Sequence, residues 1–173
     1  MGALQSNGRV FLINPNGIMF GAGSQVNVAG LVASTLAISN SDFLAGKNKF
    51  TAGEVAGAVS NMGAITTPSG GQVYLIAPDV SNSGIITSPK GDVVLAAGRS
   101  VQLADSTNPD MHVVVSAPSD QALNLGEVIA QGGKIGIYGA LINQRGKLNA
   151  NSAVVGENGK IILKASRTTL LEA

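Results

Sequence analysis

The sequence contains no cysteine, no tryptophan and a single histidine, and only 12% of its 173 residues are charged. The absence of cysteine excludes disulfides, thiolate metal sites and cysteine nucleophiles together. Eleven basic and ten acidic residues are scattered along the chain, so no block of charge marks a nucleic-acid or anionic-lipid surface. The longest apolar runs have about five residues, far fewer than the roughly 20 that span a membrane. The start lacks a basic region followed by an apolar stretch, so we predict no signal peptide in this chain.

Apolar residues and glycine dominate what is present. Apolar residues make up 45% of the chain and aromatic residues only 3%, and there are 23 glycines. A coiled coil needs abundant Glu and Lys, and a disordered tail would hold fewer Val, Ile and Leu. The composition therefore indicates an ordered domain whose surface consists largely of small and neutral polar residues.

A short segment of the form Gly-x-(Val/Ile)-x-(Leu/Ile) recurs along the chain. Its copies lie at residues 8–12, 71–75, 91–95, 133–137 and 159–163. Between them runs a second pattern, an Asn followed by a Gly and then an aliphatic residue, which begins at Asn61, Asn82 and Asn143. Gly71 and Gly91 are 20 residues apart, and later copies are more widely spaced, which indicates loops of variable length between constant strands.

This period of about 20 residues predicts an all-β fold, a parallel β-helix. Each segment is short, alternating and rich in β-branched residues, as expected of strands with one buried face. One turn cannot bury its own apolar face, but turns stacked about 4.8 Å apart can. We expect roughly eight turns and a rod of about 40 Å. The framework of leucine-rich repeats is absent, and separate hairpins in a β-sandwich are the remaining alternative.

The repeat also predicts which side chains point inward. Its third and fifth positions are uniformly aliphatic and should stack in the interior, whereas its second position is polar. Its fourth position forms an apolar column on the outer face: Phe11, Tyr74, Val94, Gly136 and Ile162. Two interpretations of this column remain open, a surface covered by a loop excursion or a docking face for a partner.

Two segments interrupt the repeat. Residues 41–58 contain two of the four phenylalanines and a small group of charges, and residues 104–122 contain two prolines and the only histidine. We predict that both are extra-helical hairpins packed on the flank of the β-helix, where they would cover the column.

The search for catalytic chemistry finds little. His112 lies in the second excursion beside Met111, and a lone histidine is more often a surface residue than a catalyst or ligand. The carboxylates form no close pair within a repeat, and no nucleophile elbow, phosphate-binding loop or calcium-binding nonapeptide occurs. We therefore predict a protein that is not an enzyme and holds no metal or cofactor. A carbohydrate-active β-helix enzyme stays as a minor alternative, which would require carboxylates that converge on folding.

The segment Asn14-Pro15-Asn16-Gly17-Ile18 directly follows the first repeat strand. Pro15 fixes φ, Asn16 and Gly17 are suited to left-handed positions, and the Asn14 side chain can bond the backbone two residues on. On the residues alone, the segment is interpreted as a tight corner of the β-helix.

In its wider context this segment resembles a known signature. The stretch 6–21, Ser-Asn-Gly-Arg-Val-Phe-Leu-Ile-Asn-Pro-Asn-Gly-Ile-Met-Phe-Gly, resembles that of the two-partner secretion domain, also called the haemagglutination activity domain of filamentous haemagglutinins. Residues 30–40, 95–98 and 117–126 are similar to the same family, especially to its high-molecular-weight adhesin branch, so the resemblance covers most of 1–173. The family normally has a signal peptide and an N-terminal cap before the signature, and we therefore expect a partial domain.

The resemblance implies a right-handed parallel β-helix with extra-helical hairpins and no catalysis. It implies a secretion module of a large Gram-negative exoprotein, which passes through the periplasm and reaches the cell surface or the medium. The implied partner is an outer-membrane β-barrel transporter with periplasmic recognition domains, and Asn14, Pro15, Asn16, Gly17 and Ile18 would be the secretion motif. The full-length protein would bind host-cell glycans or proteins. The alternative is an adhesive fragment that uses the outer column itself.

Overall fold

The computed structural model describes residues 2–103, 120–152 and 159–172, together with the backbone of 113–116. His112 and most of the predicted excursion 104–122 lie outside the described residues. The strands are β1 (Ala3–Ile13), β2 (Ile18–Phe20), β3 (Gln25–Ser34), β4 (Ala37–Ile38), β5 (Asn48–Thr51), β6 (Val59–Asn61), β7 (Ala64–Thr66), β8 (Gln72–Ala77), β9 (Val80–Asn82), β10 (Ile85–Thr87), β11 (Asp92–Ala97), β12 (Ser100–Leu103), β13 (Val113–Ser116), β14 (Gln121–Asn124), β15 (Glu127–Ile129), β16 (Lys134–Gln144), β17 (Lys147–Asn149) and β18 (Lys160–Leu171). One short helix, α1 (Asn40–Leu44), is described, and no described helix could cross a membrane.

The strands stack in parallel to form a three-faced β-helix. Face 1 consists of the start of β1, the start of β3, and β7, β10, β15 and β17. Face 2 consists of the ends of β1 and β3, then β8, β11 and the starts of β16 and β18. Face 3 consists of β2, β6, β9, β14 and the ends of β16 and β18. The predicted parallel β-helix is confirmed.

The number of turns differs from the prediction. The described residues form six turns rather than eight, because two long segments of the chain leave the helix instead of building it. Turns spaced about 4.8 Å apart then give a rod of roughly 25 Å.

The five repeat segments align in one stack on face 2. Val73 pairs with Val93, which pairs with Ile135, which pairs with Ile161. Their aliphatic side chains point into a continuous core, in which Leu75, Leu95 and Ile137 are fully buried. The end turns are exceptions to the inward prediction, since Leu12 is 36% exposed and Ile161 45% exposed. No described turn stacks on the outer side of Leu12 or Ile161, so one side of each side chain faces solvent.

A ladder of side-chain amides lines the corner between faces 3 and 1. It comprises Asn61, Asn82, Asn124 and Gln144, linked by hydrogen bonds of 2.8, 2.8 and 3.1 Å. The predicted assignment of Asn143 to this pattern is wrong by one residue, because Asn143 points away from the interior and Gln144 takes the ladder position. Phe20 occupies the equivalent position in the first turn, where it pairs with Asn61.

Two excursions leave the helix at the corner between faces 2 and 3. The first runs from the end of β3 to the start of β6 and contains β4, α1 and β5. The second runs from the end of β11 to the start of β14 and contains β12 and β13. The two combine into one antiparallel sheet in the order β13-β12-β5-β4, because β5 of the first pairs with β12 of the second. We call this the covering sheet.

Candidate functional site

The segment predicted as the secretion motif forms the corner between faces 2 and 3 in the first turn. Gly17 N–H donates to the carbonyl of Asn14 at 3.2 Å, which closes a four-residue turn. The side-chain oxygen of Asn14 accepts from the backbone N–H of Asn16 at 3.1 Å. The Asn14 N–H donates to the carbonyl of Ser34 in the next turn of the helix at 3.0 Å. We call residues 14–17 the corner turn.

The backbone of the corner turn differs in one respect from the expectation. Gly17 has φ +125°, a conformation that side-chain-bearing residues rarely adopt, but Asn16 does not have a positive φ. Asn at the first position, Pro at the second and Gly at the fourth are typical of a type I turn, whose central residues both keep negative φ. The left-handed role predicted for Asn16 is therefore wrong, and only Gly17 requires glycine.

Residues 52–58, the last part of the first excursion, form hydrogen bonds with the corner turn from the adjoining turn of the helix. We call these residues the returning leg. The Gly57 N–H donates to the carbonyl of Pro15 at 2.7 Å, and the Ile18 N–H donates to the carbonyl of Ala58 at 3.0 Å. The hydroxyl of Thr35 in turn donates to the Gly57 carbonyl at 2.8 Å. A Cβ on residue 57 would lie 2.7 Å from the Asn16 carbonyl oxygen, so this approach requires glycine.

The five motif residues divide into an outer and an inner part. Asn14, Pro15 and Asn16 are exposed, and the Asn16 side chain has no hydrogen-bond partner among the described residues. Ile18 is 8% exposed and belongs to the core, where β2 pairs with β6. Ile18 therefore anchors the corner turn, while the two asparagines and the proline face solvent.

The outer column of face 2 lies partly beneath the covering sheet. Tyr74 is 6% exposed and Val94 is fully buried, whereas Phe11 and Ile162, in the two end turns, are only partly buried. Val32 stands in register between Phe11 and Tyr74, a position that the sequence pattern missed because its segment lacks the leading Gly. A docking face made of the central column residues themselves would need the covering sheet to move away.

The covering sheet supplies its own apolar side chains to this contact. A second row on face 2, formed by Ile76, Ala96 and Tyr138, also faces the covering sheet. The buried residues of the two rows and of the first and second excursions form an outer cluster: Val32, Leu36, Phe50, Tyr74, Ile76, Val94, Ala96, Val101, Leu103 and Tyr138. At the first turn, the Phe11 ring meets the Phe43 ring of α1 edge to face at 5.1 Å, and the Arg9 guanidinium lies 5.9 Å from the Phe11 centroid. The ring of Tyr138 lies over Gly136, where a Cβ would collide with it.

Burial dominates the electrostatics of the outer cluster. Burial under the covering sheet raises the pKa of Tyr74 to about 12, and the nearby Asp92 carboxylate adds to this effect. Burial also raises the pKa of Asp92, which the Lys134 ammonium partly offsets. The pKa of Tyr138 is raised by burial and by Asp92, and its buried hydroxyl has no hydrogen-bond partner within the described part of the chain.

Asp120 marks the point at which the second excursion returns to the helix. Its carbonyl accepts from the N–H groups of Ala140 and Leu141 at 3.1 and 3.2 Å, and one buried carboxylate oxygen has no partner in residues 2–103, 120–152 and 159–172. Burial raises the pKa of Asp120, while Arg99 lowers it and Asp79 raises it further. Residues 120–152 and the other described ranges contain no group of three or more metal-binding side chains.

Comparisons with known proteins agree with this architecture. The sequence model of the TPS secretion domain family matches residues 1–171, so the chain belongs to that family, and the resemblance predicted from the signature is confirmed. A TPS secretion domain is part of an exoprotein that is exported through an outer-membrane partner to the cell surface or the medium.

A solved structure shares the fold over nearly the whole chain. The crystal structure of the HMW1 secretion domain from Haemophilus influenzae aligns with a TM-score of 0.86 and 36% identity, covering 99% of this chain and 48% of that chain. The heme/hemopexin-binding protein of Haemophilus influenzae is 53% identical over 34 residues, which is 20% of this chain and 4% of that protein. The same match occurs in the Rd strain. The chain thus spans about half the length of the solved relative and a small part of the curated ones.

Proposed function

We propose that the corner turn is the surface by which the periplasmic recognition domains of an outer-membrane β-barrel transporter select this chain for export. The proposal rests on the exposure and hydrogen bonding of the Asn16 side chain. Its side chain is exposed and has no hydrogen-bond partner among the described residues, although the backbone that holds it is bonded on both sides. A rigid backbone that presents an uncommitted polar group is pre-organised for recognition, because little conformational entropy is lost on binding.

The recognition role and the structural role of the corner turn belong to different residues. Asn14 uses its side chain to bond the backbone of Asn16, and Gly17 supplies the positive φ, so both shape the turn. Ile18 is a core residue. Asn16 is the position at which a substitution removes a recognition group without removing a contact that holds the fold.

The sharpest test is therefore Asn16→Ala. A signal peptide placed before the chain would deliver it to the periplasm, and the medium-to-periplasm ratio would be measured with and without the cognate transporter. We expect transporter-dependent release to fall about tenfold or more, which corresponds to the loss of a contact worth roughly 1.4 kcal/mol. Circular dichroism should show an unchanged β spectrum and melting temperature.

Three further variants complete the experiment. The double variant Asn7→Ala, Asn27→Ala removes two exposed asparagines on face 1, outside the corner turn, and we expect normal release. Asn14→Asp keeps an oxygen that can accept from the Asn16 N–H, so it should retain the turn and a larger share of release than Asn14→Ala. Normal release of a folded Asn16→Ala protein would contradict the proposal.

A further inference from the structure

The two excursions make a contact that the helical stacking alone does not require. In a solenoid each turn touches only its neighbours, so its stability is approximately a sum of nearest-neighbour terms. Here β5, which leaves the helix from the second turn, pairs with β12, which leaves it from the fourth, with Phe50 opposite Val101. The covering sheet therefore joins two turns that are not adjacent.

Backbone hydrogen bonding between the two excursions extends one residue beyond the end of β5, on the side that leads to the corner turn. The Ala52 N–H, immediately after β5, donates to the carbonyl of Arg99 in the second excursion at 2.8 Å. Five residues later the same leg reaches Gly57 and Ala58, which bond Pro15 and Ile18. One stretch of chain, residues 52–58, thus connects the β12–β5 contact at its start to the corner turn at its end.

The two ends of this path are held in different ways, one by burial and the other by hydrogen bonds and close approach. Phe50 and Val101 are fully buried between the covering sheet and face 2. Near the other end, Gly57 is too close to Asn16 to carry a side chain, so a shift of the returning leg must change the contact with the corner turn. The short leg between them, residues 52–58, forms no helix or strand of its own, and the Thr35 hydroxyl also holds it at Gly57.

We propose that the covering sheet is a strap that sets how firmly the corner turn is held. When β5 is paired with β12, the Gly57–Ala58 leg braces the turn from the adjoining turn of the helix. When that pairing opens, β5 keeps only its shorter pairing with β4, so the start of the leg is held less firmly and the corner turn becomes more mobile. This coupling is a property of the fold, and it holds whether or not a transporter reads the corner turn, so the two proposals can fail separately.

Amide hydrogen exchange tests the coupling directly. Val101→Ala removes two methyl groups from the buried contact of the strap, and Val128→Ala removes the same groups from a fully buried site on face 1 of the fifth turn. We expect Val101→Ala to speed exchange at the amides of Gly17, Ile18 and Gly57 about tenfold, since cavity formation promotes local opening. Val128→Ala should leave those three amides within about twofold of the wild-type rate.

A locked form tests the opposite direction and does not depend on how well Val101→Ala folds. Lys49 and Gln102 are exposed and stand directly opposite each other on β5 and β12, and the chain has no cysteine of its own. The oxidised Lys49→Cys, Gln102→Cys protein should exchange more slowly at Gly17, Ile18 and Gly57 than its reduced form. Equal rates in both forms would overturn the proposal, and so would equal effects of Val101→Ala and Val128→Ala on these amides.

Discussion

The side-chain amide of Asn82 donates a 2.8 Å hydrogen bond to the side-chain oxygen of Asn124, 42 residues further along the chain. Asn82 also accepts from Asn61 at 2.8 Å, so it is bonded to the turn before and the turn after. All three side chains are fully buried. An interior amide is tolerated at this corner because each one satisfies its neighbour, and a slip of register would leave the whole ladder unpaired.

Removal of the Asn82 side chain from the middle of the ladder should lower the stability of the fold. Asn82→Ala takes a donor from Asn124 and an acceptor from Asn61, and it leaves a small cavity. We expect the free energy of unfolding to fall by about 2–4 kcal/mol. The matched control is Asn143→Ala, whose side chain lies outside the ladder and, among the described residues, accepts only from exposed Arg145 at 3.2 Å; it should cost less than about 0.5 kcal/mol. Denaturant titration gives both values, and similar losses in the two variants would contradict the role of the ladder.

Gly57→Ala should displace the corner turn, because the new side chain would collide with the Asn16 carbonyl. The new Cβ would meet the carbonyl carbon and oxygen of Asn16 at 2.8 and 2.7 Å, and neither is a flexible side-chain atom. We expect a loss of about 1–3 kcal/mol and reduced transporter-dependent release. Gly53→Ala, in the same leg, has no neighbour closer than 3.9 Å to its new Cβ and should change neither quantity. The corner turn would be independent of the leg if both variants behaved like wild type.

Tyr74 should make the protein sensitive to alkali. Burial and Asp92 raise its folded pKa to about 12, above the value of 10.0 expected in the unfolded chain. The folded state therefore binds the proton more tightly, and this contribution to stability is present below pH 10 and is lost as the pH rises toward 12. Tyr74→Phe keeps the ring and removes the ionisation, so its stability should decline less steeply over that range. Melting temperatures of the wild type and of Tyr74→Phe measured over this pH range test the prediction. An equal decline of melting temperature with pH in both proteins would disprove it.

Asp120→Asn should stabilise the protein at neutral pH. Burial raises the pKa of Asp120, with Arg99 opposing and Asp79 adding to the rise, so the native state holds the charged form at a cost. Wild-type stability should therefore increase as the pH falls from above the raised pKa toward the ordinary value of 3.8. The advantage of the Asn variant should shrink over the same interval. Thermal melts at neutral and acid pH test this, and an advantage that grows on acidification would refute it.

The sequence alone determined the kind of helix and the residues that line its centre. Gly-x-Val-x-Leu segments such as 71–75 and 91–95 carry both the strand signal and the alternation, and recurrence of such short alternating strands permits few arrangements other than stacked turns. Recognition of the corner turn also needed only local chemistry, since Pro15 and the Asn14 side chain act within four residues. These features depend on near neighbours in the chain.

Other features differ from what the sequence pattern predicts. The repeat pattern misses Val32 because its segment lacks the leading Gly, and it aligns Asn143 with Asn61 and Asn82 although Gln144 is the residue that bonds Asn124. The backbone of Asn16 was predicted to be left-handed, but the hydrogen bond from Gly17 to Asn14 favours a turn in which only Gly17 has positive φ. In each case a partner in another turn, or a choice between two neighbouring residues, decided the outcome.

The tertiary structure alone decided how the excursions are used. Each was predictable as an interruption of the repeat, but the pairing of Phe50 with Val101 joins segments that share no sequence signal. That pairing arises because both excursions leave the helix at the same corner, two turns apart, above an apolar face that must be covered. It buries Tyr74, connects the second excursion to Gly57, and so determines how the corner turn is held. Local propensity specifies strands and turns, whereas the meeting of distant segments depends on where the folded helix places them.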